Sequence, residues 1–200
     1  MLSELNECED MSVFTSTPLV PSFSLFMVFL SSMNISLAAT GQELRVVPSV
    51  DLSRYAGTWY EIARLPNRFQ KSCAGEVTAN YTIREDSQID VLNRCRQVSG
   101  EMKSARGVAR RASQSEPNSK LKVRFAPAFL SFIPWVWGDY WIIDIAPDYR
   151  YAVVGEPSRK YLWILSRTSR MEEATYMKVL ENVGKQGFDV SRLLRTRQER

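Results

Sequence analysis

Alternation with a period of two runs through most of the chain between Thr58 and Arg167. In Glu76–Arg84, Val77, Ala79, Tyr81 and Ile83 share one face, and Thr78, Asn80 and Thr82 share the other. Gln88–Arg96 sets Ile89, Val91 and Asn93 against Asp90, Leu92 and Arg94. Leu121, Val123 and Phe125 alternate with Lys120, Lys122 and Arg124. This is the period of a strand with one dry and one wet face. Runs at 58–63, 140–145, 151–154 and 161–167 are rich in β-branched and aromatic residues. They are bounded by Gly57 or by turn sequences such as Ala146-Pro147-Asp148-Tyr149 and Glu156-Pro157-Ser158-Arg159. A weaker run containing Gly107 spans 104–112, and Ser113–Ser119 reads as a loop. Eight short strands joined mostly neighbour to neighbour predict an all-β fold, an eight-stranded up-and-down antiparallel barrel.

Beyond Arg167 the period becomes helical. Ala174, Met177, Leu180 and Val183 recur at helical spacing, Ser169 with Glu172 forms a capping box, and Gly184 and Gly187 end the pattern. A flanking C-terminal helix is expected over 170–184, with a short terminal strand at Phe188 and Val190 and a frayed basic tail over 191–200. At the other end, Asp51–Tyr55 reads as a helical turn leading into Gly57. The barrel domain is expected over 50–190, after a short linker at 40–49.

Residues 1–39 read as a signal peptide-like leader. Leu19–Leu30 is apolar, and Ser36-Leu37-Ala38 is a small-x-small sequence suited to cleavage near Ala38 or Ala39. The segment before it is acidic rather than basic, so either the start lies at Met11 or Met27 or the export signal is atypical. An uncleaved anchor is the minority reading. The leader holds Glu4, Glu7, Glu9 and Asp10 and no base, so the formal charge of +4 rises to +8 for the rest, with 26 basic and 18 acidic residues. Such a surface suits anionic lipid headgroups or is simply solubilising. Nucleic acid is disfavoured, because no strand face interleaves aromatic and basic residues and no Gly-rich phosphate loop occurs.

The chain has no histidine, which excludes Ser-His-Asp and Cys-His catalysis and His-type metal sites. No metal or cofactor is expected. Cys8 lies in the leader, leaving Cys73 and Cys95. Two cysteines make a poor zinc site and read as a disulfide, which points outside the cytoplasm.

If each strand reverses direction, Trp59, the Asp148-Tyr149 turn and Arg167 gather at one rim. An Arg over the Trp face there would act as a cation–π lid worth about 0.5–2 kcal/mol. Cys73 and Cys95 fall at the opposite rim of one hairpin, where a bond would contribute on the order of 3 kcal/mol.

Gly57-x-Trp59-Tyr60-Glu61, Asp148-Tyr149 and Tyr161-Leu162-Trp163-Ile164-Leu165-Ser166-Arg167 resemble the three signature regions of the lipocalin family, in wording close to the bacterial outer-membrane and apolipoprotein D-like members. The resemblance covers about Val50 to Val190. Two departures stand out: no lipid-anchor cysteine follows the leader, and Ala146-Pro147 precedes Asp-Tyr. The resemblance implies a barrel open at one end that stores or carries a fatty acid or lysophospholipid for membrane maintenance, in a periplasmic or outer-membrane-associated protein, with homodimers among the relatives. Eight strands leave room for one small ligand.

On this reading Val123 and Phe125 face inward, Trp163 lines the cavity or packs the core, and Tyr140 and Ile142 point inward with the Tyr140 hydroxyl near the mouth. The parity of Trp59 turns Glu61 and Ala63 inward, where Glu61 fixes a headgroup or pairs with an arginine. Between Ala126 and Gly138, Phe129, Phe132, Trp135 and Trp137 crowd one loop, either a lid folded into the mouth or a contact surface for a membrane or a second subunit. The rival classes are a ligand-free structural envelope protein and a catalytic barrel. The second lacks histidine and any carboxylate pair better than Asp144 and Asp148.

Overall fold

Short connections bring each strand back beside its predecessor. In a computed structural model that describes residues 42–199, β1 (Gly57–Arg64), β2 (Cys73–Ile83), β3 (Ile89–Gln97), β4 (Met102–Arg111), β5 (Lys120–Arg124), β6 (Gly138–Ile145), β7 (Tyr151–Gly155) and β8 (Leu162–Ser166) pair in sequence, all antiparallel. β1 closes the barrel by pairing with both β8 and β2. The leader reading for 1–39 lies outside the described residues.

The alternation seen in the sequence divides two cores. Inside the barrel lie Trp59, Ala79, Tyr81, Ile89, Val91, Ala109, Leu121, Ile142, Val154 and Leu165. Outside, the helix α2 (Glu173–Lys185) buries Tyr176, Val179 and Val183 against Ile62, Ile143, Val153, Leu162 and Ile164. Each such side chain contributes roughly 1.5–3 kcal/mol on burial. A register shift between Glu61 and Ala63 breaks the parity of β1. Ala63, expected inside, therefore packs in the outer core beside Ile62.

The helix begins at Glu173 rather than at 170. Glu172 is its N-cap, with no side-chain cap bond. Ser169 sits in a bend ahead of it, where the Thr168 hydroxyl donates to the Arg170 carbonyl at 2.6 Å, so the capping box does not form. The apolar stripe is also displaced, leaving Met177 56% exposed. Phe188 is buried in the outer core, and residues 190–192 form a helical turn instead of a strand.

The basic tail is not frayed. β1 and β2 pair only from Gly57↔Tyr81 to Tyr60↔Thr78 and then separate. Into that gap runs β9 (Leu194–Arg195), which pairs with Ala63 and Arg64. The Thr196 amide donates to the Ile62 carbonyl at 2.9 Å and the Glu76 amide to the Arg197 carbonyl at 2.7 Å. The Gln198 amide group donates to the carbonyls of Glu61 and Val77. Gly75 permits this approach, since a Cβ there would stand 2.5 Å from the Arg197 carbonyl oxygen.

Residues 42–49, expected as a linker, also belong to the body. Leu44 is buried in the outer core, the Val47 amide donates to the Ile142 carbonyl at 3.0 Å, and Asn118 bonds both backbone groups of Val50.

Candidate functional site

One end of the barrel is sealed by the residues the sequence brought together there. The turn α1 (Leu52–Tyr55) is capped by Asp51, whose carboxylate accepts from the amides of Ser53 and Arg54. The chain then turns at Gly57, with φ +93°, a backbone conformation that favours glycine. The Trp59 indole is fully buried and donates to the Tyr55 carbonyl at 2.8 Å. The Arg167 guanidinium lies 3.8 Å from the Trp59 ring and donates to the carbonyls of Thr58 and Arg54. Arg54 in turn covers the Tyr149 ring at 4.0 Å, and the Tyr149 hydroxyl accepts from the Asp51 amide. Asp148 stays exposed in the turn, accepting from the Arg150 amide.

Above this seal lies a chamber walled by Tyr55, Tyr81, Ile89, Val91, Ala109, Leu121, Val123 and Tyr140, with about 10 Å³ free. Ligand pockets run to roughly 300–1,000 Å³, so this chamber as it stands is too small for an acyl chain. The Tyr140 hydroxyl, expected near the mouth, instead stands 2.7 Å from the hydroxyls of both Tyr55 and Tyr81. Burial pushes the Tyr55 and Tyr140 phenols well above their ordinary range and that of Tyr81 up to about 12. Ile142 is fully buried in the same packing. Val123, Tyr140 and Ile142 are thus wall and core residues of the sealed half.

The other half is different. On β3, Asn93 follows Ile89 and Val91 inward, paired between Ala79 and Ala105. Ala105 and Gly107 share the inward parity of the core residue Ala109, yet Ala105 is exposed and Gly107 half-buried. The small side chains leave this end open. The Asn93 side-chain oxygen is buried without a hydrogen-bond partner among the described residues. Phe125 lies against Gly107 and is 44% exposed. An aromatic ladder climbs from the interior to the rim. Trp163 stacks on Tyr161 with centroids 6.0 Å apart, and Tyr161 meets the exposed Phe69 at 5.6 Å. The Trp163 indole donates to the Gln70 side chain at 2.9 Å.

Glu61 does not reach this opening. It is 2% exposed, and its carboxylate accepts from Arg64 at 2.8 Å, Gln70 at 2.6 Å and the Thr196 hydroxyl. Of the two sequence-based readings, pairing with an arginine is the one realised. Asn93, Gln70, Tyr161 and Phe69 were not singled out as site residues. Strand parity was the available signal for Asn93 and Tyr161.

The Cys73–Cys95 disulfide, Cα–Cα 5.6 Å, ties β2 to β3 at this open end. The aromatic side chains of the loop between β5 and β6 do not fold into the mouth. Trp137 is anchored by its indole to the Ser131 carbonyl and packs under Arg110 and Arg124, while Phe129, Phe132 and Trp135 are 73–85% exposed. Asp144 accepts from Asn182 of α2 and Asp148 lies in the exposed turn, so the two carboxylates have separate partners and form no shared acid–base site.

Residues 50–198 match the family model of the lipocalin-like domain. The chain is 45% identical over 158 residues to temperature-induced lipocalin-1 of Arabidopsis thaliana, covering 78% of this chain and 84% of that protein. It is 33% identical over 178 residues to the outer membrane lipoprotein Blc of Vibrio cholerae, covering 88% and 99%. Insecticyanin from the tobacco hornworm Manduca sexta shares the fold, with a TM-score of 0.60 at 20% identity over 78% of this chain and 85% of that one. The sealed end, the open aromatic mouth and the match over residues 50–198 agree, and the chain belongs to the lipocalin family.

Proposed function

We propose that the barrel binds one lipophilic molecule, a fatty acid or lysophospholipid, through its open half. The observation that carries this is the mouth itself: inward Ala105 and Gly107, an unpartnered Asn93 oxygen, and the Trp163–Tyr161–Phe69 ladder. An alkyl chain laid along the ladder replaces water on aromatic surface, and the Asn93 oxygen accepts from a ligand hydroxyl or protonated carboxyl. Two relatives have names that tie them to lipid, the outer membrane lipoprotein Blc of Vibrio cholerae and apolipoprotein D of Mus musculus, and this supports the ligand class. The disulfide fits an oxidising compartment outside the cytoplasm, with a role in envelope membrane maintenance. The reading is of a carrier rather than an enzyme. The exposed Phe129, Phe132 and Trp135 touch the bilayer from which ligand is taken.

Native mass spectrometry with titrated fatty acid and lysophospholipid tests the binding. One saturable lipid per barrel, weakened at least tenfold by Trp163→Ala, is expected. A barrel that takes up neither lipid points to the structural reading. For the loop, Phe132→Ala with Trp135→Ala removes vesicle binding. Retained vesicle binding overturns the contact, and loss of a dimer instead assigns the patch to a second subunit.

A further inference from the structure

Outside the barrel, on the wall opposite the parity of the interior, a second concavity carries a different chemistry. Val108 and Arg110 alternate with the inward Ala109 and so stand on the outer face of β4. The β5–β6 loop folds down over that face, and the turn between β2 and β3 closes the groove from the other side. The resulting space is about 320 Å³ and is lined by Arg84, Gln88, Val108, Arg110, Arg124, Ala128, Ser131 and Trp137.

Three guanidiniums face this groove and no carboxylate lines it. Arg84 is paired with Asp90 just outside. Arg110 has neither a carboxylate nor a hydrogen-bond acceptor among the described residues, and its guanidinium lies 4.2 Å from the Trp137 ring. Arg124 is only 7% exposed, yet it too lacks a carboxylate partner among the described residues. Its Nη1 donates to the Ala126 carbonyl, its Nε has no partner, and its guanidinium sits 5.2 Å from the same indole. Two like charges are therefore held on one aromatic ring with most of their donors unspent. A desolvated, uncompensated cation such as Arg124 is costly, and an anion held between it and the exposed Arg110 would reduce that cost. Arginine forks match the paired oxygens of a phosphate.

We propose that this groove binds a phosphate group, that of an anionic phospholipid headgroup at a membrane surface. The exposed Phe129, Phe132 and Trp135 lie on the loop that forms one wall, so apolar and anionic parts of a bilayer would be met together. This site is separate from the barrel interior. It rests on the membrane reading only for the source of the phosphate.

The test titrates the folded protein with inorganic phosphate while following the arginine Nε–H signals by NMR, and measures co-sedimentation with vesicles of phosphatidylcholine with or without phosphatidic acid. Phosphate is expected to shift Arg110 and Arg124, and Arg84→Gln with Arg110→Gln, both exposed positions, to weaken it about tenfold or more. The same pair should abolish the preference for phosphatidic acid, while the control Lys178→Gln on α2 leaves it unchanged. Phosphate binding without any vesicle preference keeps the site and overturns the headgroup as its source. No shift up to about 10 mM phosphate, or a double variant that binds like the wild type, overturns the proposal. Because phosphate binding needs no bilayer, failure of the aromatic loop to hold vesicles is read out separately.

Discussion

Tyr140→Phe deletes one oxygen and no packing volume. In the folded protein that oxygen stands 2.7 Å from both the Tyr55 and Tyr81 hydroxyls, which belong to side chains only 2% and 6% exposed. The substitution removes two hydrogen bonds and strands two hydroxyls in a chamber with about 10 Å³ free, too little to admit a compensating water comfortably. A neutral bond contributes about 1 kcal/mol net, and an abandoned buried group costs about 1–3 kcal/mol. The two effects overlap, giving a loss of about 2–4 kcal/mol. For a chain of this size that lowers Tm by roughly 5–15 °C. Urea unfolding monitored by circular dichroism measures it, with the half-buried Tyr60→Phe as a control expected to change stability by less than about 0.5 kcal/mol. A Tyr140→Phe loss under about 1 kcal/mol with an unchanged m-value would refute the sealed triad. Lipid affinity lost without stability would return Tyr140 to the ligand site.

The same triad predicts alkaline sensitivity. The folded state holds these phenolic protons more tightly than the unfolded chain, so stability is fully present below about pH 10 and is lost progressively as pH rises above it, for Tyr81 through about 12. Three such groups give a slope approaching about 4 kcal/mol per pH unit, and pH-jump unfolding with tyrosinate absorbance should show ionisation coincident with unfolding. Early ionisation of all the tyrosines in the native state contradicts this. Ending the chain at Leu193 removes β9, Thr196 and Gln198 and should cost about 3–5 kcal/mol at roughly 1 kcal/mol per bond lost. Hydrogen exchange should then lose protection first at the Glu76 amide, whose acceptor is the Arg197 carbonyl. Unchanged protection there refutes the tail's role.

The parts of this fold legible in the sequence are those whose periodicity is set by burial on one face. β2, β3 and β5 each carry an unbroken alternation, and Trp59 with Arg167 could be placed at one rim by counting strand reversals. Parity arguments stop where the backbone slips. The shift after Glu61 sends Ala63 to the outer core, and another between Ile142 and Asp144 left β6 ambiguous. β9 has no hydrophobic signature at all, because Leu194–Gln198 is held by backbone bonds and by Thr196 and Gln198 side chains. Leu194 and Arg195 are themselves exposed. The aromatic loop was readable as apolar but not as to which surface it faces. That depends on Trp137 finding Arg110 and Arg124, contacts distant from any local pattern. The open half of the barrel was missed for a related reason. Its space comes from small residues, Ala79, Ala105 and Gly107, which carry no motif of their own.

The strand between β1 and β2 has a consequence for how the protein is made. β1, the first strand, pairs with residues 163–166 and again with 194–195. During synthesis, everything from β2 to α2 can emerge while its first partner still has open edges. The barrel can therefore be completed only after translation has passed residue 198, and such long sequence separations make closure slow. If the chain is exported as proposed, that delay is useful: an unclosed chain can still be threaded across a membrane, whereas a sealed barrel cannot.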